Sequence, residues 1–180
     1  NISAMVQILD LARQMNPELY IIFASSASVY GNQINFPINE NNTPMPISFY
    51  GLQKLSIEHF LRIYNQKYKI NYVSCRISNP YGPGQKNNNL QGIISIIKNG
   101  MRNDKEIIIY GANKCSRDFI HINDLARAII SLCNIEPINT EVNLSSGIEV
   151  EISKLIYLIE EIKSKKIISS FKELREIDIK

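Results

Sequence analysis

The chain has 180 residues, 44% of them apolar, which suffices for one core-forming domain or one and a part. Charged residues make up 21%, and Lys plus Arg outnumber Asp plus Glu by 20 to 17, a net charge of +3. This excludes a disordered tail, a collagen-like fibre and a small disulfide scaffold, and so diffuse an excess gives no ground for nucleic acid as a partner. No apolar run reaches the roughly 18–20 residues of a membrane span and no basic-then-apolar signal pattern opens the chain, so the expectation is a cytoplasmic protein without a membrane partner. Cys75, Cys115 and Cys133 lie far apart, in no CxxC or His-paired spacing, and read as reduced thiols with no metal site.

Along the first fifteen residues, Ile2, Met5, Ile8, Leu9, Ala12 and Met15 follow a helical rhythm that ends at Pro17. Tyr20-Ile21-Ile22-Phe23 is a short apolar run of the kind found in buried parallel strands, and the Asn-, Pro- and Gly-rich stretch to Pro46 reads as loop. A second helix is expected from about Tyr50 to Tyr68, with Leu55, Phe60, Leu61 and Tyr64 on its apolar side. A strand follows at about 70–77, then a break at Asn79-Pro80-Tyr81-Gly82-Pro83-Gly84.

The second half alternates less regularly. Residues 90–101 read as helix, 106–110 as strand, and 123–134 as helix with Asn123 as a plausible N-cap. A brief strand is expected at 141–145, and Ser153 can cap a last helix to about Lys163. Such alternation implies an α/β protein with a parallel sheet. Asn1 already stands inside a helical pattern, so the chain reads as the middle of something longer.

Tyr50 and Lys54 are the most informative pair. Four residues apart on a helix, they share a face, so phenol and ammonium can serve one site. A free tyrosine, with a pKa of about 10, is only about 0.1% ionised near neutrality. Its use as a base needs about 4 kcal/mol of stabilisation of the phenolate, which a fixed ammonium can contribute by Coulomb attraction. Alone, the pair reads more readily as a solvated helix face. Ala24-Ser25-Ser26-Ala27-Ser28 directly follows the first apolar strand, and ligands of open α/β sheets bind beyond the carboxyl ends of strands. Its plainer reading is a Ser-rich βα loop.

Together with further ordered blocks, these residues resemble the extended short-chain dehydrogenase/reductases, within which the NAD-dependent nucleotide-sugar epimerases and dehydratases fall. Asn1-Ile2-Ser3-Ala4 resembles the family's Asn-Val-x-Gly helix start, Ser26 its active-site Ser/Thr, and Tyr50-x-x-x-Lys54 its Tyr-x-x-x-Lys signature. Arg76-Ile-Ser-Asn79-Pro80-Tyr-Gly-Pro-Gly84, Tyr110-Gly111 with Arg117-Asp118-Phe119-Ile120-His121, and Asn143-Leu144-Ser145-Ser146-Gly147 resemble later blocks, the last with Ser145 replacing a Gly. The resemblance implies a partial Rossmann-type doubly wound parallel sheet over residues 1–80. It implies a mainly substrate-binding, smaller C-terminal lobe over 81–180, with a sheet strand returning near 141–145.

It also implies roles. Tyr50 would be the base, and Lys54 would hold the nicotinamide ribose and depress the Tyr50 pKa. Ser26 would bind the reacting sugar oxygen, with Ser25, Ser26, Tyr50, Lys54 and Pro80 around the cofactor. Ser28 would sit beside the hexose; Asn79, Asn89, Leu90 and Arg117 would meet the nucleotide diphosphate, and Ile108 and Tyr110 would flank the base. The cofactor would be NAD, with NADP not excluded, and the substrate a nucleotide sugar such as a UDP-hexose. A homodimer would form through helices 1–15 and 50–68.

The implied reaction is 4-epimerisation through a 4-keto sugar, most like that of UDP-glucose 4-epimerases in polysaccharide or sugar metabolism. Ala27 and Ser28 stand where dehydratases carry acidic residues. A dehydratase or reductase on the same scaffold, or an inactive remnant able only to dimerise, are the alternatives. The family's glycine-rich phosphate turn has no counterpart, since the only Gly-x-Gly, Gly82-Pro83-Gly84, follows the Asn-Pro turn. By the family pattern about 100 residues of the nucleotide-binding half would be missing, and the isolated chain is expected to be inactive and to hold NAD weakly.

Overall fold

Residues 1–16, 18–33, 36–85, 92–111 and 115–173 are described by the computed structural model of the chain. They divide into two compact units, Asn1–Ser78 with Ala126–Leu144, and Asn79–Leu125 with Ser145–Lys180.

The first unit is built on three parallel strands in the order β1-β2-β6: β1 (Tyr20–Ser26), β2 (Asn71–Ile77) and β6 (Thr140–Leu144). β1 extends beyond the expected apolar run to take in Ala24, Ser25 and Ser26, so the serines begin inside the strand. Helices α1 (Ile2–Met15) and α2 (Phe49–Tyr68) pack side by side over this sheet. They run in the same direction: Asn1 Nδ2 donates to Gln53 Oε1 (3.3 Å), and Tyr64 OH to Asp10 Oδ1 (2.8 Å). Leu9 and Ala12 of α1 meet Phe23, Ile57, Leu61, Ile70 and Tyr72 in the core, with Ile2 and Met5 alongside.

The apolar pattern of α1 is therefore two stripes rather than one. Residues 2, 5, 9 and 12 face inward, while Ile8, Leu11 and Met15 are exposed. α1 ends at Asn16, whose extended backbone donates to Ala12 O and whose Oδ1 accepts from Glu18 N. Pro17, the expected stop, lies outside the described residues.

In the second unit, β3 (Asn79–Tyr81) pairs in parallel with β5 (Ser116–His121), and β7 (Glu149–Glu151) runs antiparallel to β5. β4 (Ile107–Tyr110) pairs in parallel with β8 (Ser169–Lys172). The break expected at 79–84 thus opens with a strand, because Asn79–Tyr81 finds a partner in β5. Ile97 of α3 (Ile93–Asn103), Ile107 and Ile109 of β4, and Ile152 and Ile156 of α5 (Ile152–Lys163) form an aliphatic core with Cys115.

Neither expected side-chain cap forms. β5 runs straight into α4 (Ile122–Cys133), so Asn123 falls in the first turn and donates its backbone N–H to His121 Nδ1 (3.3 Å). β7 likewise runs into α5, Glu151 takes the capping position, and Ser153 Oγ donates to Glu151 Oε2 (3.3 Å).

Candidate active site

The site is assembled at the carboxyl end of β1. After Ser26 the chain makes one 3-10 turn, Ala27–Tyr30, whose start is capped by the Ser26 hydroxyl. Ser26 Oγ accepts from both Ser28 N (3.2 Å) and Ser28 Oγ (3.0 Å). Two acceptor positions are thereby filled, which leaves the Ser26 O–H a donor with no acceptor among the described residues. At Gly31 φ is +63° and an added Cβ would fall 1.9 Å from Met45 O, so glycine is required where the loop closes.

α2 starts one residue earlier than its apolar pattern indicates, because Ser48 caps it: Ser48 Oγ accepts from Gly51 N (3.1 Å). The first turn of α2 lies directly on the serine turn. A Cβ on Gly51 would stand 2.6 Å from Ser28 O, so the absence of a side chain there sets how close Tyr50 and Lys54 come to the serines. Tyr50 is half exposed, and Lys54 Nζ lies 5.6 Å from the centre of its ring and 4.9 Å from that of Phe23. Lys54 Nζ donates to Ala24 O of β1 (2.6 Å), and burial pulls its ammonium below the usual lysine range. Ser26, Ser28, Tyr50 and Lys54 are thus gathered on two adjoining turns.

Ser25 faces the other way. Its side chain is buried and donates to Glu58 Oε1 (2.5 Å), so only its backbone remains for a ligand. Glu58, 0% exposed, is held by Arg76 of β2, 3% exposed, through Nη2 (2.7 Å) and Nε (3.2 and 3.3 Å). Arg76 Nη1 donates to Tyr30 OH (3.0 Å), which donates in turn to Asn143 Oδ1 of β6 (2.8 Å). Burial works against the Arg76 charge, but Glu58 and Tyr30 outweigh it and raise its pKa above the ordinary arginine value. Burial raises the Tyr30 pKa despite its hydrogen bonds to Arg76 and Asn143. Sequence reasoning missed Glu58 altogether. The available signals were the spacing of Glu58, one further turn along the Tyr50–Lys54 face, and an arginine within a buried strand.

The remaining candidates belong to the second unit. Asn79 Nδ2 donates to Asp118 O (2.9 Å), tying β3 to β5, and Pro80 is exposed beside it. Ile108 is exposed on β4 between buried Ile107 and Ile109, and Tyr110 is half-buried. Arg117, half-buried, donates from Nη1 to Ser116 O (2.7 Å). The Asp118 carboxylate accepts from Ser146 N (2.9 Å) and Gly147 N (2.7 Å), a clamp the sequence did not suggest. Asn89 and Leu90 lie outside the described residues.

A parallel α/β sheet with serines at a strand's end and a Tyr-x-x-x-Lys pair on the next helix defines a protein of the short-chain dehydrogenase/reductase class. The sequence pattern of the NAD dependent epimerase/dehydratase family matches residues 1–144, and the chain belongs to that family. It is 32% identical over 159 residues to a putative UDP-glucose 4-epimerase of Methanocaldococcus jannaschii, covering 88% of this chain and 52% of the relative. It is 36% identical over 153 residues to a dTDP-4-dehydro-6-deoxyglucose reductase of Escherichia coli, covering 85% and 48%. The solved structure of the UDP-N-acetylglucosamine 4-epimerase from Methanobrevibacter ruminantium M1, in complex with UDP-N-acetylmuramic acid, superposes with a TM-score of 0.93 at 30% identity. That match covers all of this chain and 58% of the other. The chain spans about half the length of the curated relatives it matches.

Proposed function

We propose that the complete protein is an NAD-dependent nucleotide-sugar 4-epimerase, with a UDP-hexose as substrate, and that Tyr50, Lys54 and Ser26 carry the reaction. The observation supporting this is the meeting of two turns: Gly51 seats the start of α2 on Ser28, with Lys54 beside Tyr50 and a Ser26 O–H that has no acceptor among the described residues. An ammonium and hydroxyls at the carboxyl end of a parallel strand form a donor set suited to the ribose of the nicotinamide end of NAD. For the pyrophosphate the sequence offers no glycine-rich strand-to-helix turn, so no residue of this chain is assigned to that half of the cofactor.

NAD, when bound, supplies the acceptor for the hydrogen that leaves the sugar carbon. Tyr50 takes the proton of the C4 hydroxyl, and Lys54 stabilises the negative charge on the phenol oxygen while donating to the ribose. Ser26 donates its hydroxyl hydrogen to the same sugar oxygen as that oxygen becomes a carbonyl. The 4-keto sugar would then turn in the site, and return of the abstracted hydrogen to the opposite face of C4, together with the proton from Tyr50 to the oxygen, would complete the inversion. Ser28 lies next to the hexose, and Asn79, Pro80, Asn89, Leu90, Ile108, Tyr110 and Arg117 remain candidates for the cofactor ring and the nucleotide. Ala27 and Ser28 supply no carboxyl group for eliminating water, which favours epimerisation over dehydration. The exposed apolar row of Ile8, Leu11 and Met15 on α1, with Phe49 and Leu52 on α2, suits pairing with a second copy.

The test is a panel of nucleotide sugars on the complete protein, with product stereochemistry read by NMR. Inversion at C4 is expected; a reduced or dehydrated product would replace this reading with the reductase or dehydratase one. Tyr50→Phe is expected to cut turnover by about 10²–10⁴-fold while sparing nucleotide-sugar binding by calorimetry. Unchanged turnover would remove Tyr50 as the base.

A further inference from the structure

The charges most deeply placed in the first unit are not those of the Tyr-x-x-x-Lys pair but those of Glu58 and Arg76. A buried ion pair is a poor source of stability, since apolar residues of similar volume often serve as well or better. Its retention in this position therefore asks for a geometric reason, and the bonding pattern supplies one.

Glu58 accepts from Ser25, the residue before Ser26, and Arg76 donates to Tyr30, two residues after Ser28. The serine turn is thereby gripped at both ends by one ion pair. Glu58 also stands one helical turn beyond Lys54 on the same face of α2, so the same pair fixes that face against the end of β1. The guanidinium's planar fork is suited to this work: two of its nitrogens engage the carboxylate and a third engages the tyrosine. Tyr30 extends the contact to Asn143, linking all three strands near their carboxyl ends.

We propose that Glu58, acting with Arg76, is the positioning residue of the active site: it holds Lys54 and Tyr50 in register with Ser26 and touches neither substrate nor cofactor. This inference rests on the catalytic assignment above. A displacement of about 1 Å at a reacting centre can cost about 10²-fold in rate, so a loosened register would appear in kcat rather than in binding.

The double variant Glu58→Leu/Arg76→Met of the complete protein removes both charges at similar volume and so leaves no unpaired buried ion. It is expected to retain wild-type cooperative unfolding, with kcat lowered at least about tenfold and KM within about threefold. Its crystal structure is expected to show the Lys54 Nζ contact with Ala24 O broken and the first turn of α2 moved relative to Ser26. A folded double variant with unchanged kcat, or with that turn unmoved, overturns the proposal. Should the double variant not fold, Glu58→Asp keeps the charge and draws the carboxylate back by one methylene. It is expected to lower kcat several-fold at unchanged KM, and wild-type kcat in that variant likewise overturns the proposal. The structural readout does not depend on which sugar is turned over. A wild-type protein inert toward nucleotide sugars would therefore count against the proposed function, and an unmoved turn against this inference.

Discussion

The two units cover their sheets with different contacts. In the first, α2 adds to the apolar contacts of Ile57 and Leu61 a polar stripe that bonds at successive turns. Lys54 donates to Ala24 O, Glu58 binds Ser25 and Arg76, Arg62 pairs with Glu141 (3.1 Å), and Asn65 donates to Ile70 O (3.0 Å). In the second, the elements meet through Ile97, Ile107, Ile109, Ile152 and Ile156. Aliphatic contacts are non-directional and tolerate small slips, whereas a hydrogen bond or ion pair fails when its partner moves by a fraction of an ångström. The helix that carries Tyr50 and Lys54 is thus pinned by directional bonds as well as by burial, while in the other unit the helices pack on the strands through aliphatic side chains.

The largest effect should come from leaving one of those pins without its partner. Arg76→Ala strands the Glu58 carboxylate in a site with no access to water, and is expected to cost about 3–5 kcal/mol by chemical denaturation. Because the pair is buried, added salt should change that cost little. A loss below about 1 kcal/mol would mean that water reaches Glu58, and the contrast between the units would fall.

In the aliphatic unit the corresponding experiment is Ile97→Ala, which deletes a wholly buried side chain of α3. The expected loss is about 3 kcal/mol, from the transfer of the deleted carbons and the cavity they leave. Here a smaller loss would show a core loose enough to collapse into the space. Pairing the two variants sharpens the comparison, since the units share neither residue and the two costs should add.

Ser48→Ala is a milder probe of how α2 begins. It removes the acceptor of the Gly51 N–H and should lower stability by about 1 kcal/mol. The cap also sets the first turn, which carries Tyr50, so an equal loss in the complete protein with altered turnover would tie that turn to the chemistry.

What could be read beforehand divides along the same line. Tyr50, Lys54 and Ser26 were legible because their spacing is local: four residues on a helix, and serines at the end of an apolar run. The parallel α/β alternation was legible for the same reason: all five helices and β1, β2, β4 and β6 lie within a few residues of their expected places, whereas β3, β5, β7 and β8 were not foreseen. The Glu58–Arg76 pair was not, because it depends on how α2 is rotated over β2, and on its own Glu58 reads as one more solvated helix charge. The caps proposed at Asn123 and Ser153 failed because a strand leads into each helix with no intervening loop, a matter of tertiary pairing with β5 and β7 partners. α1 misled more quietly: its apolar residues fit one helical rhythm, yet Ile8 and Met15 face away from the sheet.

The smallest expected effect has the opposite sign and tests the polar face most finely. Ser74 lies on β2 between Tyr72 and Arg76, wholly buried, and its Oγ finds no hydrogen-bond partner among the described residues. A buried hydroxyl without a partner has lost its bonds to water and gained none in return. Ser74→Ala removes that liability at the expense of one atom's packing, so stability is expected to rise by about 0.5–1 kcal/mol. If the polar row under α2 were a continuous network, Ser74 would belong to it and its loss would instead destabilise the protein. A gain confines the directional bonds to the groups that pin α2, and a loss of more than about 1 kcal/mol would show that Ser74 too is bonded, through a buried water.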